Sequence, residues 1–159
     1  MINELSPSAL RVQNILKENG FDYAVVELSH STRTANEAAQ AVGCQLGQIV
    51  KSLVFKGKKS QMPILVVASG ANRVNETRIS GLVSEPIKMA HADFVRKKTG
   101  FAIGGVPPLG HSEKLMTFID EDLFKYDEIW AAAGNPHALF KLTPDNLVAM
   151  TGGQVVAII

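Results

Sequence analysis

The sequence predicts a single domain of the α+β or mixed α/β class, spanning residues 1–159, with a largely antiparallel sheet. Its length of 159 residues is that of one domain, and no linker, repeat or low-complexity tract divides it. Helix and strand patterns alternate irregularly rather than as regular βαβ units, which favours a mixed architecture. A hydrophobic content of 46% and a charged content of 19% are typical of a globular protein.

Helix starts are marked by residues that cap a helix. Ser6-Pro7 begins the first helix, which Gly20 ends. Residues 34–37 match a capping box, and Thr143-Pro144 repeats the cap-plus-proline device before the last helix. Further helices are predicted at residues 76–82 and 92–98, with a helical turn from Asp120.

Strands are predicted where β-branched and apolar residues run between turn signals. The segments are residues 23–28, 49–55, 63–68, 86–89, 115–119, 128–133, 138–142 and 155–159. The polar turn at residues 56–60 predicts that the second and third of these form an antiparallel hairpin.

Several classes of chemistry are excluded or disfavoured by missing motifs. The sequence has no GxSxG elbow, no GxxxxGK[ST] loop and no GxGxxG motif. The lone Cys44 excludes an internal disulfide and reads as a small buried hydrophobe. The four histidines, His30, His91, His111 and His137, are scattered, so we expect no metal and no other cofactor.

The N-terminus does not resemble a signal peptide, because Glu4 precedes any lysine or arginine and no apolar core follows. The longest apolar runs, such as residues 64–68 and 129–133, are too short to cross a bilayer. We therefore expect a cytoplasmic protein without a membrane partner. The net charge of +1 neither supports nor excludes nucleic acid, since gripping the end of an RNA requires only a local basic patch.

One predicted strand carries a lysine on its apolar face. Ile49, Lys51, Leu53 and Phe55 fall on one side because side chains alternate along a strand. Burying an unpaired ammonium is costly, so a lysine here suggests an anion or carbonyl ligand. The alternative is a lysine near a strand end whose ammonium reaches water.

A second unusual stretch, residues 100–111, contains four glycines and two prolines. Glycines let another backbone or a ligand approach closely, and prolines fix the following loop. The two stretches together predict a glycine-lined cleft that receives Lys51. The alternative for the glycines is an ordinary hairpin with tight turns.

Both stretches resemble the YbaK/ProX family of aminoacyl-tRNA deacylases. The resemblance rests on Lys51 within IVKSLVF, Gly70 closing LVVASG, the Thr99-Gly100 pair and GGVPPLGH at residues 104–111, and runs from about Thr34 to Leu147. It implies a curved mixed sheet surrounded by helices. It also implies an activity that deacylates misacylated tRNA, as a free-standing enzyme or as the editing insertion of prolyl-tRNA synthetases.

The resemblance also implies roles for individual residues. Lys51 matches the family's strand lysine, and Gly104 to Pro108 match its GXXXP segment, so Lys51, Gly104 and Gly105 are the expected catalytic residues. The expected substrate-binding residues are Ser52, Ile103, Val106, Pro107, Pro108, Ala133, Gly134, Asn135 and His137. For His137, an ordinary surface position after Pro136 is the alternative.

This residue set suits an activated ester. Backbone N–H groups around Ile103, Gly104 and Gly105 are candidate donors to the oxyanion of the transition state, and such a donor contributes about 3 kcal/mol. The substrate's own amine or 2′-hydroxyl would activate the water, since no strong protein base is evident. Lys51 would bind the ester carbonyl or, alternatively, hold a phosphate or ribose of the RNA or transfer a proton.

The expected substrate is tRNA(Pro) carrying a small non-cognate amino acid. The cysteine-editing branch resembles Ser-Gly-Gly where this sequence reads Ala132-Ala133-Gly134, so alanine, serine or threonine is favoured over cysteine. Partners are then the acceptor end of aminoacyl-tRNA and prolyl-tRNA synthetase, and not DNA. We expect several basic residues to surround one cleft mouth: Lys56, Lys58, Lys59, Arg73, Arg78 and Lys98.

Two other functions remain open from the sequence. A non-catalytic module that binds tRNA ends or a synthetase would keep the cleft and lack turnover. A small-molecule esterase or nucleotide-binding domain would act without RNA.

Overall fold

The computed structural model describes residues 4–29 and 34–159. Residues 1–3 of the N-terminus and His30, one of the scattered histidines, lie outside the described residues. The described helices are α1 (Pro7–Glu18), α2 (Ala35–Val42), α3 (Glu76–Val83), α4 (Ala92–Thr99) and α5 (Pro144–Thr151), with 3₁₀ turns at Leu46–Gln48 and Glu121–Lys125. None of these helices combines the length and apolar character that crossing a membrane would require.

The strands form two sheets. They are β1 (Val25–Glu27), β2 (Val50–Gly57), β3 (Pro63–Ser69), β4 (Ile87–Met89), β5 (Met116–Asp120), β6 (Ile129–Ala132), β7 (Ala138–Leu142) and β8 (Gln154–Val156). The larger sheet has the order β4-β2-β3-β5-β8, and the smaller one has the order β1-β7-β6. A single parallel bridge between Ile49 and Trp130 connects them.

Strand direction is mixed, in agreement with the predicted class. The β2–β3 hairpin is antiparallel, as predicted, and β2 also pairs antiparallel with β4. In contrast, β5 runs parallel to both β3 and β8. The carboxyl ends of β3 and β5 therefore meet at the same edge of the sheet.

The middle of the larger sheet is its most buried part. All residues of β3 are buried, as expected for an apolar strand covered on both faces. Leu65 and Val67 pack into one hydrophobic cluster, while Ile64 and Val66 pack into another on the opposite face. The sheet thus gives rigid support to the residues at its edge.

Most predicted helix starts are confirmed. The hydroxyl of Thr34 accepts the N–H of Glu37 at 3.1 Å, and Thr143 caps α5 in the same way. Ser6 precedes α1, but its hydroxyl donates to the Glu27 carboxylate at 2.6 Å instead of capping the helix. A carboxylate is the stronger acceptor, and this bond ties the start of α1 to β1.

Two predicted strands are shorter than expected. The strand predicted at residues 23–28 is β1, which has only three residues, all of them paired with β7. The strand predicted at residues 155–159 is β8, which ends at Val156. Beyond it, Ile158 is fully buried and its carbonyl accepts the N–H of Asn75, so the chain end packs under α3 instead of extending the sheet.

Candidate functional site

A cleft of about 200 Å³ opens where β2, α2 and the glycine-rich loop meet. Lys51 and Ser52 line it from β2, and Ile103, Gly104 and Val106 line it from the loop. The fold therefore brings the lysine strand and the glycine-rich stretch together. The other lining residues are Thr34, Ala35, Ala38, Ile49, Val50, Leu53, Ala132 and Leu139.

Lys51 is partly buried at the edge of the cleft. Its ammonium donates a hydrogen bond of 2.6 Å to the backbone carbonyl of Asn72. Burial lowers the pKa of Lys51; the Asp120 carboxylate opposes this shift, and the Arg73 guanidinium adds to it. An ammonium carries three N–H donors, so two remain for a carbonyl or phosphate oxygen.

A polar network behind Lys51 holds Asn72 in place. The Asn72 amide donates to Asp120 and to Asp122, each at 2.8 Å. Asp120 is buried, and its carboxylate also accepts the N–H of Ser69 at 2.9 Å and that of Asp122 at 2.9 Å. The network connects the ends of β3 and β5 and fixes the carbonyl that receives Lys51.

The glycine-rich loop passes very close to the turn after β6. A Cβ on Gly105 would lie 2.6 Å from backbone atoms of Asn135, and the Gly134 N–H donates to the Gly105 carbonyl at 2.9 Å. Gly104 has a φ of +89°, which favours glycine. These contacts match the expectation that the glycines allow close approach of another backbone.

The expected set of N–H donors in this loop needs one correction. The N–H of Gly105 donates to the Ala102 carbonyl at 3.0 Å, closing a tight turn, so it is not free for an oxyanion. Among the described contacts, the N–H groups of Ile103 and Gly104 make no hydrogen bond. The candidate donors are therefore Ile103 and Gly104.

Ser52 places polar groups along an uncovered strand edge. Its Oγ is buried and has no hydrogen-bond partner among the described residues. The Val54 carbonyl accepts the N–H of Ala90 at the β4 edge, so the backbone N–H and C=O of Ser52, two residues away, face that same edge. Because β4 pairs with β2 only from Phe55 onward, the edge is open beside Ser52.

The remaining predicted site residues do not line the cleft. Pro107 and Pro108 are buried beneath the loop, where the Pro107 carbonyl binds the ring Nε2 of His111 at 2.7 Å. Ala133 is fully buried. The structure therefore places these three residues as support for the loop and turn rather than as cleft walls.

Gly134, Asn135 and His137 also lie away from the cleft, because the turn faces α1. The Asn135 amide donates to the Ser8 hydroxyl at 2.9 Å and to the Glu27 carboxylate at 3.0 Å, and its carbonyl accepts the His137 N–H at 2.7 Å. Burial raises the pKa of Glu27, but hydrogen bonds from Ser6 and Asn135 and the His137 charge outweigh it and hold the pKa below its usual value. Asn135 thus fixes the turn against which Gly105 packs.

The predicted basic cluster is only partly present. Arg73 lies near Lys51 and shifts its pKa, whereas Lys56 and Lys98 both contact the Phe94 ring. The turn lysines Lys58 and Lys59 are exposed beyond the β2 end. The remaining basic residue, Arg78, lies on α3.

The residues that sequence reasoning missed come from long-range pairing. Asn72 lies shortly after β3, and Asp120 is the last residue of β5. These positions indicate a shared polar site only if the two strands are parallel neighbours. Ala132 and Leu139 line the cleft from β6 and β7, one position before and two positions after the turn that the resemblance singled out. No group of three or more His, Cys, Asp or Glu residues able to hold a metal occurs within residues 4–29 and 34–159.

Comparisons with known proteins agree with this architecture. The family described as "Aminoacyl-tRNA editing domain" matches residues 29–150. A solved structure titled "Crystal structure of a putative trans-editing enzyme for prolyl tRNA synthetase" is 54% identical, covers 98% of both chains and superposes with a TM-score of 0.92.

Two curated relatives match over most of their length. "Uncharacterized protein YwhH" of Bacillus subtilis is 31% identical over 82% of this chain and 83% of the relative. "Putative Cys-tRNA(Pro)/Cys-tRNA(Cys) deacylase EbsC" of Enterococcus faecalis is 26% identical over 79% of this chain and 76% of the relative. Fold, cleft and family match lead to one conclusion: this chain belongs to the aminoacyl-tRNA editing domain family.

Proposed function

We propose that this chain is a trans-editing hydrolase that cleaves the ester between tRNA(Pro) and a small non-cognate amino acid. The observation that carries the proposal is that Lys51 and the free N–H groups of Ile103 and Gly104 border one cleft of about 200 Å³. The neighbour titled as a trans-editing enzyme for prolyl tRNA synthetase supports tRNA(Pro) as the substrate. The reaction takes place in the cytoplasm, with the acceptor end of the tRNA as the part bound and prolyl-tRNA synthetase as the related partner.

The proposed mechanism relies on stabilising the oxyanion. As water attacks the ester carbon, the carbonyl oxygen gains negative charge, and the Ile103 and Gly104 N–H groups donate to it. The fixed loop means that these donors need little reorganisation during the reaction. Gly105, Pro107 and Pro108 hold the loop in position, and the turn of Ala133, Gly134, Asn135 and His137 supports it from behind.

Lys51 supplies the positive charge of the site. Its two remaining N–H donors either bind the ester carbonyl or hold the ribose or phosphate next to it. The tether to Asn72 keeps the ammonium at the mouth of the cleft. Among the described residues that line the cleft, Lys51 is the only one whose side chain could act as a base, and in the proposed mechanism the amine or 2′-hydroxyl of the substrate activates the water.

The cleft walls favour alanine, serine or threonine over cysteine. Ala35, Ala38 and Ala132 line the cleft with small side chains, and the resemblance places Ala132 where the cysteine-editing branch has a serine. The relative named as a Cys-tRNA deacylase is only 26% identical, so cysteine belongs in the test panel. Pockets that differ by a methyl or hydroxyl discriminate by about 1–3 kcal/mol, which sets the expected preference at 10-fold to 200-fold.

The test is a deacylation assay on tRNA(Pro) charged with alanine, serine, threonine, cysteine or proline. We expect rapid loss of one small non-cognate amino acid and at least a 100-fold reduction for Lys51→Ala, as estimated for loss of a group that stabilises the oxyanion. Lys17→Ala, an exposed lysine on α1, is the matched control. Binding of tRNA without hydrolysis of any ester would instead indicate a non-catalytic module, and hydrolysis of simple esters alone would indicate a small-molecule esterase.

A further inference from the structure

Two lysines lie side by side on the face of the sheet that continues from the cleft. Lys56 on β2 and Lys88 on β4 are direct cross-strand partners, so their side chains project from the same face. Like charges directly opposite each other destabilise a strand pair. The ion pairs of the described residues include neither lysine, so their charges are not neutralised within the described chain.

A third lysine contacts the same aromatic ring as Lys56. The ammonium groups of Lys56 and Lys98 lie 4.9 Å and 5.7 Å from the centroid of Phe94. Contact with the ring restrains both long side chains. Lys98 also pairs with Glu113 at 3.3 Å, whereas the ion pairs of the described residues include neither Lys56 nor Lys88.

This lysine surface, formed by Lys56, Lys88 and Lys98, is continuous with the cleft. Ser52, Val54 and Lys56 alternate onto one face of β2, and Lys56 follows Ser52 by about 13 Å at the usual rise of a strand. A small apolar hollow lined by Ser52, Val54 and Ile103 lies between the cleft and the lysine surface. An extended strand of RNA whose terminal ester enters the cleft would pass over this hollow to reach the lysines.

We propose that the lysine surface binds the phosphate backbone of the single-stranded acceptor end, with Phe94 as a positioning residue. The proposal rests on the proposed function, because a tRNA ester in the cleft is what brings phosphates to this face. The charges of Lys56 and Lys88 are not neutralised by any ion pair of the described residues, and they weaken the pairing of β2 with β4. Such a surface suits a polyanion, whose phosphates would neutralise the charges. Continuity with the cleft favours the substrate's own RNA over an acidic protein.

The first test measures binding of uncharged tRNA(Pro) from about 50 to about 200 mM salt, the range over which phosphate contacts weaken strongly. Lys88 is exposed, so Lys88→Ala is not expected to disturb the fold. We expect it to weaken binding about threefold at low salt and to reduce the salt slope by about 0.7, the value for one phosphate contact on a single strand. Adding Lys56→Gln should reduce the slope by about 1.4 in total.

The exposed Lys17 provides the matched control, since Lys17→Ala removes the same charge elsewhere. Slopes for Lys88→Ala and the double variant equal to that of Lys17→Ala would overturn the proposal. Equal losses at every salt concentration would also overturn it, because loss of a phosphate contact must change the salt dependence.

The second test separates this surface from the reaction itself. An aminoacyl ester of adenosine enters the cleft but lacks the phosphates of a tRNA. We expect Lys88→Ala to lower kcat/KM for misacylated tRNA relative to the adenosine ester, while Lys17→Ala keeps the ratio. If the parent chain hydrolyses neither ester, the proposed function fails, and the salt slopes still decide whether the surface binds RNA.

Discussion

The ammonium of Lys51 and the backbone carbonyl of Asn72 are joined by a hydrogen bond of 2.6 Å. Because the Asn72 side chain binds both Asp120 and Asp122, this bond connects the cleft to the ends of two parallel strands. Among residues 4–29 and 34–159, Lys51 is the only cation that lines the cleft, and its position therefore depends on residues that do not themselves line it.

The charge of Arg73 should shift the alkaline limit of activity to lower pH. Burial is the main cause that lowers the pKa of Lys51, and the Arg73 guanidinium lowers it further, so Arg73→Ala should raise that pKa. If the charged lysine is the active form, deacylation falls as the pH rises through this pKa, and the variant keeps its activity to higher pH. The measurement is the pH profile of kcat/KM, corrected for spontaneous ester hydrolysis.

The control for this profile is Arg78→Ala, which removes an exposed arginine from α3. Its alkaline limb should coincide with that of the parent protein. An Arg73→Ala limb that is unshifted, or shifted to lower pH, would show that Lys51 is not the group being titrated.

Alanine at Gly105 should displace the loop, whereas alanine at Gly104 should not. A Cβ at Gly105 meets backbone atoms of Asn135 at 2.6 Å, and neither backbone can yield easily, so we expect a loss of about 1–3 kcal/mol in the free energy of unfolding. At Gly104 the nearest atom is 3.6 Å away, and only its positive φ is unfavourable, at about 1–2 kcal/mol.

Urea denaturation and deacylation assays on both variants test this difference. Gly105→Ala should displace the loop and lose most activity, even at temperatures where it is folded. Equal activity in the two variants would mean that the close approach of the loop to the Asn135 turn is not needed for the reaction.

Local patterns in the sequence predict much of this structure. The caps at Thr34 and Thr143 and the antiparallel β2–β3 hairpin depend on neighbouring residues, and each is confirmed. The face of β2 is also correct, since Leu53 and Phe55 pack in one cluster on the side opposite Val54. Such features follow from the period of a strand or helix, which the sequence carries directly.

Features set by distant pairing could not be predicted in this way. The parallel pairing of β3 with β5 brings Asp120 to Asn72, and nothing in either segment alone specifies that neighbour. Likewise, the bond between Gly134 and Gly105 turns Asn135 toward α1, so Ala132 lines the cleft in place of the turn residues. The resemblance points to this turn, but the direction of its side chains depends on the distant contact with the glycine-rich loop.

Protonation of His111 should destabilise the protein in mild acid. The ring is partly buried, and burial lowers its pKa, although the hydrogen bond to the Pro107 carbonyl opposes this shift. A histidine with a lower pKa in the folded state takes up its proton more readily when unfolded. The free energy of unfolding should therefore fall as the pH drops below about 6.5, the pKa of an unperturbed histidine. Above that pH the ring is neutral in both states, and its contribution to stability is complete.

Urea denaturation at several pH values between about 7.5 and about 5, which brackets the unperturbed histidine pKa, measures this loss. His111→Gln should remove much of the pH dependence, whereas His91→Gln, at an exposed position before α4, should retain it. The same acid sensitivity in His111→Gln and the parent protein would assign the effect to other groups.

Ser52→Ala should separate stability from function. The buried Ser52 hydroxyl has no partner among the described residues, and an unsatisfied buried group costs about 1–3 kcal/mol. Removing it should leave the free energy of unfolding unchanged or higher, as measured by urea denaturation. If that hydroxyl meets the side chain of the misattached amino acid, the same variant should lose more activity on Ser-tRNA(Pro) than on Ala-tRNA(Pro).

The conservative variant Ser52→Thr keeps the hydroxyl on a residue that suits a strand, and it should preserve the ratio of the two activities. A Ser52→Ala protein that is less stable than the parent would mean that the hydroxyl has a structural partner in solution. Equal losses on the two substrates would place the Ser52 hydroxyl near the ester group that the substrates share, and not near the amino acid side chain.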